Sequence, residues 1–337
     1  MPTIFVLAAV LSLQFGGAVA TLLFPRAGVH GVVALRLTIA ALILLAVCRP
    51  WRKSRSRSWG KSRSRPWRKS RSRPWRKSQS RADWLTIGAF GVALAGLNTL
   101  FYHAIDRIPM GTAVTLEVLG PLTLSVVTAR NRKSWLWAGL ALAGVALLGR
   151  EGFGRLDPAG VGFALGAAVM WAAYIVLSAR VGHRFPKADG LALSVAVSAV
   201  IMLPFGVAGA GTALLDPAVV AMGAVVAVLA SVLPYTLEML ALRRMPTTTF
   251  AVLMSLGPAV AATAGFLLLG QDMTIVECLA IALVITAAIG ATRQNRNART
   301  PSRRGARRTP APAAPDASPS AAAPAPAPRP ARQPAAG

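Results

Sequence analysis

The sequence predicts an all-α membrane protein: ten transmembrane helices arranged as two inverted five-helix repeats, with both termini cytoplasmic. Three observations carry that prediction. The 337-residue chain is 54% hydrophobic and only 14% charged, and its apolar residues fall into recurring runs of about the length that crosses a bilayer. Its basic residues crowd into alternate connections between those runs. A proline-marked pattern in the fourth run recurs in the ninth.

The runs, in order, span residues 4–24, 29–48, 84–105, 110–129, 135–149, 159–178, 190–209, 217–241, 247–269 and 275–294. The first contains Ala18-Val19-Ala20, which resembles a signal cleavage site. Met1-Pro2-Thr3 supplies no positive charge ahead of it, so it reads as a retained helix. The fifth is short, and Trp135 and Trp137 beside it are placed to anchor it at the interface. The domain reading is a first five-helix repeat over 1–149 and a second over 158–295. The remainder, 296–337, is rich in Ala, Pro and Arg and buries too little apolar surface to fold; it reads as a disordered cytoplasmic tail.

A net charge of +26 would suggest a nucleic-acid binder if it were spread over a soluble domain. It is not spread. With the N-terminus inside, 32 of the 37 Lys and Arg residues face the cytoplasm. Only Arg26, Arg107, Arg150 and Arg155 face outward. Much of the excess lies in the loop 51–82, where Trp51, Trp59, Trp67 and Trp75 head four copies of an eight-residue Arg/Lys/Ser unit. With that loop and the tail set aside, the connections still carry 8 basic residues inside against 4 outside, so the orientation does not rest on the insertion. The loop reads as a topology anchor that lies on anionic lipid headgroups, not as a surface for specific nucleic-acid recognition. Cys48 and Cys278 give no disulfide framework, and His30, His103 and His183 are scattered. Neither a metal site, a cofactor site nor a catalytic constellation is expected.

The internal repeat lies in "IPMGTAVTLEVLGP" (108–121) and "MPTTTFAVLMSLGP" (245–258). Pro109 and Pro121 are separated as Pro246 and Pro258 are, and Arg107 and Arg244 precede each pair at the same distance. The two copies are five runs apart in order, an odd offset, so the second crosses the bilayer in the opposite sense. Inverted repeats around a central site are a common architecture of secondary transporters. Gly120-Pro121 and Gly257-Pro258 are the expected helix breaks: proline removes a backbone donor, and the freed carbonyl is tolerated in lipid only against protein or a wet cavity.

Several stretches carry a resemblance: "LRLTIAALIL" (35–44), "NTLFYHAIDRIPMGTAVTLEVLGPL" (98–122), "WAAYIVLSARVG" (171–182) and "SVLPYTLEMLALRRMPTTTFAVLMSLGPAVAATAGFLLLG" (231–270). They resemble the EamA branch of the drug/metabolite transporter superfamily, in its threonine/homoserine exporter-like group. The resemblance implies ten helices in two inverted repeats and a multi-pass location in the bacterial inner membrane. It also implies proton-coupled export of amino acids or related small metabolites by alternating access. Multidrug and other metabolite carriers of the superfamily share the fold, and a membrane-anchored interaction protein working through the basic loop is the more distant alternative. Two positions depart from the group: Gly257 and Gln271 stand where it commonly carries Glu.

Ionisable side chains inside a bilayer are costly and mark function by default. Arg36 and Glu117 each lie about seven residues into a run crossing from outside to inside, hence at a similar depth, roughly 10 Å from the outer boundary. They can bind the two charges of a zwitterion or respond to protons; a structural ion pair between two helices is the alternative. Gln14, Asn98, Tyr102, Trp171, Tyr174 and Tyr235 complete the candidate substrate or coupling set. Each alone is equally at home as a helix-packing hydrogen bonder. Glu238 is expected at the cytoplasmic interface, reaching Arg243 or Arg244. Glu277 is expected at the opposite interface.

Overall fold

A computed structural model describes residues 2–48, 81–129, 132–152, 156–185, 189–242, 244–245 and 247–299. Residues 51–80 of the repeat loop, the tail beyond 299 and Arg243 lie outside them. The described residues hold helices and no strand: α1 (Pro2–Thr21), α2 (Phe24–Cys48), α3 (Arg81–Ile105), α4 (Met110–Glu117), α5 (Leu119–Ala129), α6 (Arg132–Gly152), α7 (Pro158–Arg184), α8 (Asp189–Ala210), α9 (Pro217–Ala227), α10 (Leu233–Leu242), α11 (Thr247–Met254), α12 (Gly257–Leu269) and α13 (Ile275–Arg299). A 3₁₀ turn (Gly211–Leu215) precedes α9, and a π-helical turn (Val228–Val232) joins α9 to α10. Among the described residues, seven stretches are long and apolar enough to cross a bilayer; three shorter apolar helices lie at Met110–Leu124, Trp135–Leu147 and Ile275–Ala291.

Local chemistry sets several boundaries. Asp157-Pro158 and Asp216-Pro217 use one device twice: the carboxylate accepts from Ala159 N at 2.9 Å and Ala218 N at 2.8 Å, and proline opens the helix where no donor is needed. Thr274 and Glu277 form a reciprocal capping box at the head of α13. Glu277 is therefore occupied in starting a helix. Gly28, at φ 62°, kinks α2 one turn in, a conformation open mainly to glycine. The apolar run expected over 110–129 is divided at Val118, and that over 247–269 at Ser255–Leu256. The second division immediately precedes Gly257-Pro258, and the first lies one residue, Leu119, ahead of Gly120-Pro121. At its far end, α13 continues to Arg299, four residues into the stretch expected to be disordered tail.

Packing relies on small side chains. Ala18, Ala20, Ala34, Ala40, Ala104 and Ala264 are completely buried, while Leu42, Val92, Val200, Phe205 and Phe266 point outward. That inversion suits a bundle whose surroundings are as apolar as its core, where close backbone approach drives association. The main partners include α2 with α8, α3 with both α7 and α8, α6 with α13, α1 with α10, and α4 with α12. At one end, His30 Nε2 and His103 Nε2 lie 3.3 Å apart, joining α2 to α3. Two histidines that look scattered in sequence are thus neighbours, with His103 stacked on Phe163 of α7. Among the described residues, no group of three or more His, Cys, Asp or Glu is arranged to hold a metal ion.

Candidate functional site

A cavity of about 390 Å³ opens within the bundle. All eight residues named from the sequence as substrate or coupling candidates lie on its wall: Gln14 from α1, Arg36 from α2, Asn98 and Tyr102 from α3, Glu117 from α4, Trp171 and Tyr174 from α7, and Tyr235 from α10. Of the helix-break residues, Pro121 and Gly257 line it, whereas Gly120 and Pro258 do not.

Arg36 is 6% exposed and held by three neutral groups. Its Nε donates to Ser231 Oγ at 3.1 Å, Nη1 to Tyr102 Oη at 2.7 Å and Nη2 to the Ala230 carbonyl at 2.7 Å. The guanidinium also lies over the Tyr102 ring, 5.3 Å from its centroid. A guanidinium has five N–H groups, so one remains on each terminal nitrogen. Among the described residues Arg36 makes no ion pair; the two that are present, Arg107–Asp157 and Arg184–Asp83, lie elsewhere. The structural ion pair with Glu117 weighed from the sequence is therefore not formed, although both groups share one cavity.

Glu117 ends α4 at the helix break. Neither it, Gln14 nor Tyr235 has a side-chain hydrogen bond among the described residues, and each borders the cavity. Asn98 spends one amide hydrogen on Leu94 O of its own helix, at 2.8 Å. The site thus offers a fixed cation and several polar groups with free hydrogen-bonding capacity inside a mostly apolar wall.

Sequence reasoning missed Glu238. It lines the cavity instead of reaching for the cytoplasmic interface, and it makes no ion pair with Arg244. The signal was its spacing from Tyr235: three residues apart on a helix means one shared face. Ser231 was also missed, since a lone serine in an apolar run carries no distinguishing mark.

The two family departures separate here. Gly257 faces the cavity: a Cβ on it would meet Gln14 Nε2 at 3.5 Å and Val114 at 3.9 Å, ordinary contacts. Gln271 lies away from the cavity, and its Oε1 accepts from Met110 N at 3.0 Å, capping α4 from the other half of the chain. A neutral acceptor performs that task, so the missing carboxylate at 271 removes no group from the cavity.

Comparison with known proteins finds relatives of the chain. A family model described as the EamA-like transporter family matches residues 158–293. The threonine/homoserine exporter RhtA of Escherichia coli K12 is 37% identical over 295 residues, covering 87% of this chain and 91% of that protein. RhtA of Salmonella typhimurium LT2 matches with the same identity and coverage. The uncharacterized transporter YwfM of Bacillus subtilis is 27% identical over 210 residues, 60% of this chain and 71% of its own. One crystal structure aligns over 89% of this chain and 99% of its own, with a TM-score of 0.53 and 21% identity, a likeness of fold.

Proposed function

The chain belongs to the EamA-like transporter family, and from that premise we propose that it exports amino acids of the threonine/homoserine type, or related small metabolites, across the bacterial inner membrane. It is a multi-pass membrane protein whose named relatives are transporters, not enzymes. The observation that carries the substrate reading is one cavity holding both signs of charge: Arg36 with N–H groups to spare, and the carboxyl groups of Glu117 and Glu238 without partners. A zwitterion meets that demand at both ends, its carboxylate on the guanidinium and its ammonium on a carboxylate. The volume falls within the common range of small-molecule sites, about 300–1,000 Å³.

Alternating access is the proposed mechanism, with ten spans in two inverted repeats and both termini cytoplasmic. Counting α4–α5, α9–α10 and α11–α12 as one broken span each gives five before residue 153 and five after. The packing partners then include second with seventh, fourth with ninth, fifth with tenth, third with sixth and first with eighth. Exchanging the halves leaves that set unchanged, because third–sixth and first–eighth simply trade places. This self-consistency supports a pseudo-two-fold relation, as do the paired breaks before Gly-Pro. Protons are the proposed coupling ion, with Glu117 as the carrier, since Gly257 offers no carboxyl group in the equivalent segment.

Efflux of radiolabelled threonine and homoserine from cells with and without the protein, over a range of external pH, tests both parts. Faster efflux that depends on pH is expected, and Glu117→Gln should remove the pH dependence while the protein remains in the membrane. Unchanged efflux of both amino acids overturns the substrate reading; efflux indifferent to pH overturns proton coupling.

A further inference from the structure

The π-helical turn Val228–Val232 has a local cause and a specific use. Pro234 has no N–H, so the carbonyl four residues back, Ala230 O, loses its helical donor. One residue earlier, Leu233 N donates to Val228 O, five residues back, which leaves Leu229 O free as well. Those two carbonyls are taken by side chains from other helices: Ser12 Oγ of α1 donates to Leu229 O at 2.6 Å, and Arg36 Nη2 of α2 donates to Ala230 O at 2.7 Å. Gly16 lets α1 approach the same turn, since a Cβ there would press on Ala230 N at 2.9 Å. Ser231, 3% exposed, adds its hydroxyl to Arg36.

A π turn also resets the facing of the helix beyond it. It carries about one residue more than an α turn, and one residue is about 100° of helix rotation. With the turn present, Pro234, Tyr235 and Glu238 face the cavity while Leu233 and Thr236 face outward. Closing the turn into regular helix would swing Tyr235 and Glu238 off the cavity wall.

We propose that Ser231 and the Pro234-induced π turn are the positioning elements of the substrate site, aiming the Arg36 guanidinium at a carboxylate and holding Tyr235 and Glu238 on the cavity. The proposal rests on the reading that Arg36 receives the substrate's carboxylate. It assigns a duty to a backbone irregularity: the carbonyl that proline strands inside the membrane is the one that fixes the cation.

The test is counterflow in proteoliposomes loaded with threonine, with entry of radiolabelled threonine competed by unlabelled threonine or by threoninamide, which lacks the carboxylate. The wild-type protein should prefer threonine over the amide. Ser231→Ala should reduce that preference at least tenfold by weakening threonine alone, leaving the amide and the maximal rate nearly unchanged, and Ser231→Thr should restore it. Pro234→Ala, which returns a donor to Ala230 O, should reduce the preference likewise. It should also lower maleimide labelling of a cysteine placed by Glu238→Cys, in a background lacking Cys48 and Cys278. Arg36→Gln separates positioning from carboxylate binding. If it abolishes the preference while Ser231→Ala and Pro234→Ala preserve it, the positioning role is overturned and the carboxylate reading stands. If Arg36→Gln preserves the preference, both fall. A loss of the amide and of threonine in equal measure in Ser231→Ala, without rescue by Ser231→Thr, also overturns positioning, because that is the mark of general destabilisation.

Discussion

Arg36 shows how far a single residue can be read from sequence. A guanidinium seven residues into an apolar run announces a site, because exposing it to lipid costs several kcal/mol. What sequence does not announce is the partner. Its depth suggested Glu117, yet the structure gives it Ser231, Tyr102 and a carbonyl, the first and last contributed from nearly 200 residues away. Hydrogen bonds to a charged group contribute about 1.5–3 kcal/mol each, so three neutral partners hold the cation while leaving its charge uncompensated for a ligand. Arg36→Lys should therefore fail despite preserving the charge: a compact ammonium cannot reach all three acceptors in the same fork. At least a tenfold loss of threonine efflux with normal membrane abundance is expected, measured by transport and immunoblot together. Gly257 is the converse case, a residue notable for what it leaves open. Gly257→Glu should be accommodated by the fold but narrow the cavity beside Gln14. Competition by amino acids with larger side chains should weaken more than competition by threonine, which a competition panel would register.

At the scale of elements, the two Gly-Pro breaks look interchangeable in sequence and are not so in structure. A Cβ on Gly120 would overlap the carbonyl oxygen of Ala168, where α5 crosses α7, and backbone cannot move aside as a side chain can. A Cβ on Gly257 meets only ordinary contacts. Gly120→Ala should thus destabilise the protein by about 1–3 kcal/mol, while Gly257→Ala changes stability little; thermal unfolding of the detergent-solubilised proteins would distinguish them. The existence of the helices was legible, since an apolar run of bilayer length has few alternatives. The divisions within them were legible only where proline marked them. The π turn was not anticipated although Pro234 stood in the run, because a proline can bend, break or widen a helix. Which it does depends on what receives the freed carbonyls, here Ser12 and Arg36 from α1 and α2.

At the scale of the molecule, the proposed inverted topology rests on the repeated pattern at the ends and middle of one span, and on lysine and arginine as markers of which side of the membrane each connection occupies. The proposed orientation is directly checkable. Single cysteines beside Arg107 and beside Arg132, in a background without Cys48 and Cys278, should be labelled by an impermeant maleimide from the outside and from the inside respectively. Labelling both from one face would overturn it. The pairing of helices was not readable, since runs of Ala, Val, Leu and Gly do not name their neighbours. That pairing has a consequence for how the chain is made. Arg36 leaves the ribosome 66 residues ahead of Tyr102 and 195 ahead of Ser231. At about 5–20 residues per second, its first acceptor follows after roughly 3–13 s and its last after roughly 10–39 s. Throughout that interval a charged helix waits in or beside the bilayer for a partner not yet synthesised, so the insertion of α2 should depend on the pace of translation.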